Sequence, residues 1–208
     1  MKSKKITWKK IWHFIWEDDS VWSWIANIIL AFILIKFIVY PGLGLLLQTT
    51  HPVVAVVSES MEHNSGFDGW WVKSSDWYIA NGIAKDDFDK FALKNGFNKG
   101  DIMVLKGKKP EDIKVGNIIV FWSAKKDPVI HRVVKKWPDR GVYYFETKGD
   151  NYKTNPMPIQ SAFLNETRTS EEQIVGNAVF RIPLLGYVKI WFVELFNLFK
   201  AVLVQKGV

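Results

Sequence analysis

The order of apolar and polar positions divides the chain into an apolar stretch, a mixed body and an apolar end. Residues 21–40 read VWSWIANIILAFILIKFIVY, with Lys36 as the only charge. About twenty helical residues cross a hydrocarbon core of about 30 Å. The stretch is apolar on every side, which favours a membrane span over a helix buried in a protein core. We predict a transmembrane anchor over residues 21–48.

The residues before the anchor indicate its direction. Residues 1–20 carry five lysines within the first ten positions, and lysine is concentrated on the cytoplasmic side of membranes. We expect residues 1–20 to be a cytoplasmic basic segment of a single-pass protein of the cell membrane, with the rest of the chain outside the cytoplasm. This topology explains much of the net charge of +7. It argues for the lipid bilayer and against nucleic acid as a partner.

Short runs typical of β-strands fill the body of the chain, residues 49–182. They are rich in Val, Ile and aromatic residues, and Gly, Pro, Asp and Lys clusters separate them. The predicted strands are residues 53–58, 101–106, 117–122, 129–135, 142–148 and 174–182. The predicted fold class is therefore mostly β, with one extracytoplasmic antiparallel domain.

Two passages depart from the strand pattern. Residues 62–100, approximately, are aromatic and polar and contain KDDFDKFAL, a short predicted helix, so we interpret them as an insertion. Its Trp70 and Trp71 fit either the bilayer surface or the insertion's own core. Residues 183–208 are mostly apolar, and Lys189, Glu194 and Lys200 interrupt the apolar run, which indicates a second span or an amphipathic surface helix. We favour a membrane-associated helix.

The composition limits the possible chemistry. The chain has no cysteine, which excludes disulfides, thiolate nucleophiles and cysteine-based zinc sites. It also lacks the His-Glu-x-x-His and Gly-rich phosphate-loop motifs. We expect neither a metal nor an organic cofactor.

Hydroxyl and imidazole groups are the candidate chemistry. Ser58 and Ser60 end the first predicted strand. A serine becomes a nucleophile only with a base in hydrogen-bond reach and with donors for the oxyanion. His131 lies in the strand-like run PVIHRVVKK, where alternation puts it on the face of Val129 and Val133. That setting suits a neutral general base, and equally a packed core histidine.

A third group should orient the imidazole. Asp150 follows the predicted strand of residues 142–148 in a Gly-Asp-Asn turn. It is a candidate for that role, although ordinary turn chemistry also explains an aspartate at this position.

Five short boxes, in order behind the anchor, closely resemble those of the type I signal peptidases: SESM, NKGDIMVLK, GNIIVFW, VIHRVV and TKGDN. The resemblance covers residues 53–188. The histidine of HRVV, where bacterial enzymes carry lysine, is typical of the endoplasmic-reticulum and archaeal branch. The long insertion and GNAVFRIPLLGYV look archaeal. The resemblance implies a membrane-bound serine endopeptidase that removes signal peptides from preproteins after small residues, with the translocation machinery as a candidate partner.

The resemblance also implies roles for individual residues. Ser60 matches the nucleophile, His131 the general base, and Ser58 the hydroxyl that completes an oxyanion hole with the Ser60 N–H. Asp150 matches the Gly-Asp-Asn aspartate. Relatives of this branch carry another aspartate a few residues later, often taken as the triad acid. This chain has Asn155 in that stretch, so the role passes to Asp150, or Asn155 partly substitutes.

Two other functions are consistent with parts of the sequence. A non-catalytic anchored β module, serving as an accessory subunit of a translocation complex, would not react with serine-directed acylating probes. A basic binder of membrane surfaces or nucleic acid would bind polyanions with a steep salt dependence.

Overall fold

The structure is a computed structural model that describes residues 7–187 and residue 191. The chain divides into two compact units, residues 1–46 and residues 47–208, and each is described by itself. The predicted C-terminal helix over residues 183–208 lies outside the described residues from position 188 onward, apart from Trp191.

The N-terminal unit is helical. Helix α1 is followed by a nearly continuous helical rod with a π-helical segment inside it. The elements are α1 (Trp8–Trp16), α2 (Val21–Leu34), the π-helical segment Ile35–Val39 and α3 (Tyr40–Leu47), whose last residue opens the second unit. In the part of the chain that the structure describes, Val21–Leu47 is the one helix long and apolar enough to cross a membrane.

A seven-stranded antiparallel sheet forms the second unit, with strands in the order β1-β2-β7-β3-β4-β5-β6. The strands are β1 (Val53–Ala55), β2 (Ile102–Lys106), β3 (Ile118–Phe121), β4 (Val129–Asp139), β5 (Val142–Lys148), β6 (Thr169–Ser170) and β7 (Ile174–Ile182). Two 3₁₀ turns, Pro110–Asp112 and Glu171–Gln173, lie between strands. The predicted mostly β, antiparallel fold is confirmed.

The strand bounds follow the sequence pattern with local differences. β5 and β7 have the predicted bounds, β1 is shorter than predicted, and β4 continues to Asp139. The two-residue strand β6 was not predicted, because two residues carry no readable alternation.

The sheet is covered on both faces at its centre. Side chains of successive strand residues point to opposite faces. In β3, Ile118 and Val120 accordingly join one hydrophobic cluster, and Ile119 and Phe121 join another. This double burial fixes the register of β3 against its neighbour β4, which carries the predicted base.

The insertion between β1 and β2 is mainly helical. It contains α4 (Gly66–Ala80) and α5 (Lys85–Phe88). Trp70 and Trp71 are only 0% and 7% exposed and pack in one cluster with Tyr78. The alternative that these two tryptophans contact the bilayer is therefore wrong, since they form the insertion's own core.

Candidate active site

Ser60 lies in a turn, five residues after the end of β1, that is fixed from two sides. The Asn151 N–H donates to the Ser60 carbonyl at 2.9 Å, and the Asn151 amide donates to the Glu59 carbonyl at 2.9 Å. Met61 is fully buried in the core, and its carbonyl accepts a hydrogen bond from the Phe97 N–H. The turn therefore presents the half-buried Ser60 side chain from a rigid backbone.

His131 meets Ser60 across 71 positions of sequence. It is 3% exposed and pairs with Ile119 in the register between β3 and β4. Its Nε2 lies 2.9 Å from Ser60 Oγ. The structure therefore brings together the two residues that the sequence analysis named as nucleophile and base.

Glu166 occupies the other side of the imidazole. Its Oε1 lies 2.5 Å from His131 Nδ1, and its side chain is completely buried. Thr147 Oγ1 donates to Oε1 at 3.0 Å, and the Ile159 N–H donates to Oε2 at 2.9 Å. An ionised carboxylate only accepts hydrogen bonds, so Nδ1 carries the proton and Nε2 presents its lone pair to Ser60.

Sequence reasoning missed Glu166. It lies in the polar passage NETRTS, 35 residues after His131, where nothing in the spacing distinguishes one carboxylate from another. The local backbone explains its position: the Thr147 N–H donates to the Glu166 carbonyl, and the Glu166 N–H donates to the Ile159 carbonyl. The loop after β5 thus folds back along the strand and brings Glu166 to the imidazole.

Asp150 does not contact His131, contrary to the prediction that it orients the imidazole. Its carboxylate instead accepts from Arg132 Nη2 at 2.6 Å, from Tyr78 Oη at 3.0 Å and from His63 Nε2 at 3.2 Å. The reason is strand alternation: His131 and Arg132 are neighbours on β4 and point to opposite faces. Asp150 lies on the face of Arg132, and Glu166 lies on the face of His131.

The contacts of Asp150 form a buried electrostatic cluster. Burial alone would raise the pKa of the Asp150 carboxyl, but the charge of Arg132 and the hydrogen bonds from His63 and Arg132 hold it well below the usual range. Arg132 is completely buried and also donates to the carbonyls of Ala92, Leu93 and Gly116. The cluster ties the insertion to the sheet directly behind the Ser60 turn.

Asn155 lines the cleft beside Ser60 without reaching His131. It is 2% exposed, its backbone N–H donates to the Asn151 carbonyl at 2.8 Å, and Thr154 Oγ1 donates to its Oδ1 at 2.9 Å. These contacts hold the Gly-Asp-Asn loop. They do not make Asn155 a substitute for the orienting acid.

Ser58 lies next to the reacting hydroxyl. Its Oγ is 3.1 Å from Ser60 Oγ, and its side chain is exposed to the cleft. The Ser60 N–H donates to no protein acceptor within the described residues. A side-chain hydroxyl and a backbone N–H are thus both available for a charge that develops on a substrate oxygen beside Ser60.

A cleft of about 440 Å³ opens in front of Ser60 and His131. Its walls include the small or apolar side chains of Ala55, Val57 and Ile130. Among residues 7–187 and residue 191, no group of three or more His, Asp or Glu side chains is arranged to hold a metal. The cleft therefore combines a positioned hydroxyl and base with room for a small side chain.

Comparison with known proteins shows consistent similarity to one enzyme. The signal peptidase complex catalytic subunit SEC11 of Lachancea thermotolerans is 29% identical over 164 residues, which cover 76% of each chain. That of Zygosaccharomyces rouxii is 31% identical over 108 residues, covering 50% of this chain and 62% of the relative. That of Sclerotinia sclerotiorum is 28% identical over 160 residues, covering 76% and 73%.

No protein-family model matches the chain. The three relatives come from fungi, so they do not bear out the expectation of an archaeal enzyme. The similarity to the SEC11 subunits and the Ser-His arrangement agree with the motif resemblance. The comparisons therefore support the similarity to the catalytic subunits of signal peptidase, and the Ser60–His131 pair fits the branch of the resemblance that uses a histidine.

Proposed function

We propose that this protein is a membrane-bound serine endopeptidase that cleaves N-terminal signal peptides from secreted and membrane preproteins after small residues. One observation carries the proposal: His131 bridges Ser60 at 2.9 Å and the buried Glu166 at 2.5 Å. A general base that is itself held by a carboxylate is the arrangement that activates a serine. A non-catalytic module has no need of it.

In the first half of the reaction, His131 Nε2 takes the Ser60 proton while Ser60 Oγ attacks the scissile carbonyl. Ser58 and the Ser60 N–H stabilise the oxyanion of the tetrahedral intermediate. The imidazolium that forms is stabilised by Glu166, and it then protonates the leaving amine. The products are the released mature chain and an acyl-enzyme on Ser60.

In the second half, His131 accepts a proton from water, which attacks the acyl carbon. Collapse of the second tetrahedral intermediate returns the proton to Ser60 and frees the carboxylate of the signal peptide. In this assignment Glu166 takes the role that the sequence analysis gave to Asp150, while Asp150 holds the loop behind the serine.

The substrate binds as an added strand. Within the described part of the chain, β1 is an edge strand whose one partner is β2, and Ala55 and Val57 beside its other edge line the cleft. An extended peptide placed there gains main-chain hydrogen bonds, and alternate side chains enter the cleft. The apolar side chains of Ala55, Val57 and Ile130 on its wall favour small, uncharged residues such as alanine at those positions.

The protein acts at the membrane across which preproteins are exported. The apolar helix Val21–Leu47 and the similarity to the SEC11 subunits support a single-pass membrane protein. The lysines before that helix favour a cytoplasmic N-terminus, with the β domain on the opposite side. Localisation to the cell membrane stays a prediction. The relatives are named as subunits of a signal peptidase complex, so we also propose partner subunits or translocation machinery.

The test is cleavage of a preprotein by the detergent-solubilised full chain. Ser60→Ala and His131→Ala each remove one reacting group, and both variants should lose cleavage while keeping the wild-type circular dichroism spectrum. Ser75→Ala, which removes a hydroxyl from α4 away from the cleft, is the matched control and should cleave normally. Undiminished processing by Ser60→Ala would refute the proposal.

A further inference from the structure

Helix α1 has two contrasting faces. Trp8, Trp12 and Trp16 recur at a spacing of four residues and therefore lie along one side of the helix. They are 86%, 63% and 69% exposed, although they are the largest apolar side chains of the segment. Around the helix axis, Glu17 is turned about 140° from Trp12, and His13 is turned about 140° from Trp8 and about 100° from Trp12. An aromatic face of this kind is not left in water by a stable fold.

The beginning of the apolar rod holds α1 in place. Ser23 Oγ donates to the Phe14 carbonyl at 2.5 Å, and Asn27 Nδ2 donates to the Ile15 carbonyl at 2.9 Å. Carbonyls in the last turn of a helix lack partners within that helix. Two polar residues in the first turns of α2 thus serve as caps for α1, and Ser23 is almost completely buried in doing so.

The inner angle between α1 and α2 is an open groove of about 450 Å³. Its lining is apolar apart from one side chain: Lys10, Ile11, Phe14, Ile15, Ala26 and Leu30. An acyl chain fits the apolar walls, and the Lys10 ammonium suits the phosphate of a headgroup at the rim. The groove is continuous with the apolar surface of the rod.

We propose that α1 is an interfacial helix that lies in the headgroup layer of the bilayer and binds anionic phospholipid. Tryptophan is enriched at membrane interfaces because its ring is apolar and its N–H is polar. Lys10 adds attraction to anionic headgroups. The occupant of the aromatic face is lipid because only four residues separate α1 from the apolar rod. The Ser23 and Asn27 contacts hold that face against the bilayer.

The chain contains no cysteine, so single cysteines for spin labelling can be introduced without other changes. The variants Trp8→Cys, Trp12→Cys, His13→Cys and Glu17→Cys are each labelled in the full chain, in vesicles of phosphatidylcholine with phosphatidylserine. Labels at positions 8 and 12 should be more accessible to oxygen than to a water-soluble nickel complex. Labels at positions 13 and 17 should show the reverse.

A second pair of vesicle samples tests the preference for anionic lipid. In vesicles of phosphatidylcholine alone, the contrast between the two faces should be smaller than in vesicles that contain phosphatidylserine. An equal contrast in both vesicle types would overturn the binding of anionic phospholipid. The interfacial position of α1 is tested separately, by the oxygen and nickel accessibilities of the four labels.

Two outcomes would overturn the interfacial position. High nickel accessibility at all four positions would place α1 in water, and protection of positions 8 and 12 from both reagents would place them against protein. In the background Ser23→Ala with Asn27→Leu, the contrast between the two faces should fall at least twofold, while a label at Phe32→Cys stays lipid-exposed. A contrast that survives this change would show that these two residues do not hold α1.

Discussion

Glu166 holds the imidazole of His131 from the side opposite Ser60, although 35 residues separate the two side chains. Strand β5 explains the meeting: Thr147 binds the same carboxylate oxygen and thereby fixes its position. The candidate site is thus built from the turn after β1, the beginning of β4 and the loop after β5.

Glu166→Gln should lower kcat by about 10²–10⁴ with little change in KM. The amide can present an N–H to His131 Nδ1, which favours the tautomer whose Nε2 carries a proton and so cannot accept the one on Ser60. Steady-state cleavage of a preprotein measures both constants. Glu172→Gln, an exposed neutralisation outside the cleft, should leave them unchanged. A wild-type kcat in the Glu166→Gln variant would remove Glu166 from the mechanism.

Ser58→Ala should lower kcat by about 10²–10³ because one oxyanion donor is lost. KM should stay within about twofold, since the developing charge exists only in the transition state. Ser75→Ala is again the control of equal size. A rise in KM at constant kcat would instead make Ser58 a contact for the bound substrate.

Asp150→Asn should destabilise the β domain by about 3–5 kcal/mol, because it leaves the buried Arg132 guanidinium without its charged partner. Urea unfolding of the detergent-solubilised chain measures the difference. Asp139→Asn breaks the exposed ion pair with Arg168, which is 2.6 Å long, and should cost less than about 1 kcal/mol. Equal costs for the two variants would contradict the importance given to the buried cluster.

The Asp150 carboxyl also makes the free energy of unfolding depend on pH in the acid range. The folded pKa of Asp150 is held below its unfolded value because Arg132 and His63 outweigh the effect of burial. Its stabilising contribution is therefore present above the unfolded pKa of about 4 and is lost as the pH falls below it. Asp150→Asn should flatten this acid limb of the free energy of unfolding, and an unchanged limb would exclude the carboxyl as its source.

Lys148 should also make stability rise with pH, but in the alkaline range. Burial lowers the pKa of its ammonium to about 8, below the unfolded value of about 10.4. Between these values the unfolded chain binds a proton that the folded chain has released, so the free energy of unfolding contributed by this group rises with pH. Lys148→Met should remove the rise, which amounts to about 3 kcal/mol at most.

Unfolding at pH values of about 7, 9 and 10.5, which bracket the two pKa values, measures the effect of Lys148. The exposed Lys109 provides the control variant Lys109→Met, which should keep the wild-type dependence on pH. If Lys148→Met also keeps it, the ammonium is not the titrating group.

Strands could be predicted where the alternation of apolar and polar residues, or a run of apolar residues, was long. β5 and β7 have the predicted bounds because each begins and ends at clear turn signals. Helix α4 was not predicted, because its aromatic and polar residues follow no regular helical period. Its tertiary contacts decide its structure, with Trp70 donating to the Asp150 carbonyl at 2.7 Å.

The candidate site, like the fold, could be predicted from the sequence only in part. Ser60 and His131 could be assigned their roles because the boxes SESM and VIHRVV resemble those of the type I signal peptidases, and strand alternation had already made His131 a candidate base. Asp150 was misplaced because sequence cannot show on which face of the sheet the end of a turn directs its carboxylate. Glu166 depends on a loop that folds back over β5, and no local pattern reports such a contact.

The open edge of β1 has a consequence for how the enzyme must be handled. Unpaired N–H and C=O groups accept any extended segment, so a second copy of the chain competes with substrate for the same row of donors and acceptors. Confinement to a bilayer raises the local concentration of such copies. Self-association should therefore grow with the protein-to-lipid ratio, and a peptide that occupies the edge should keep the enzyme dispersed.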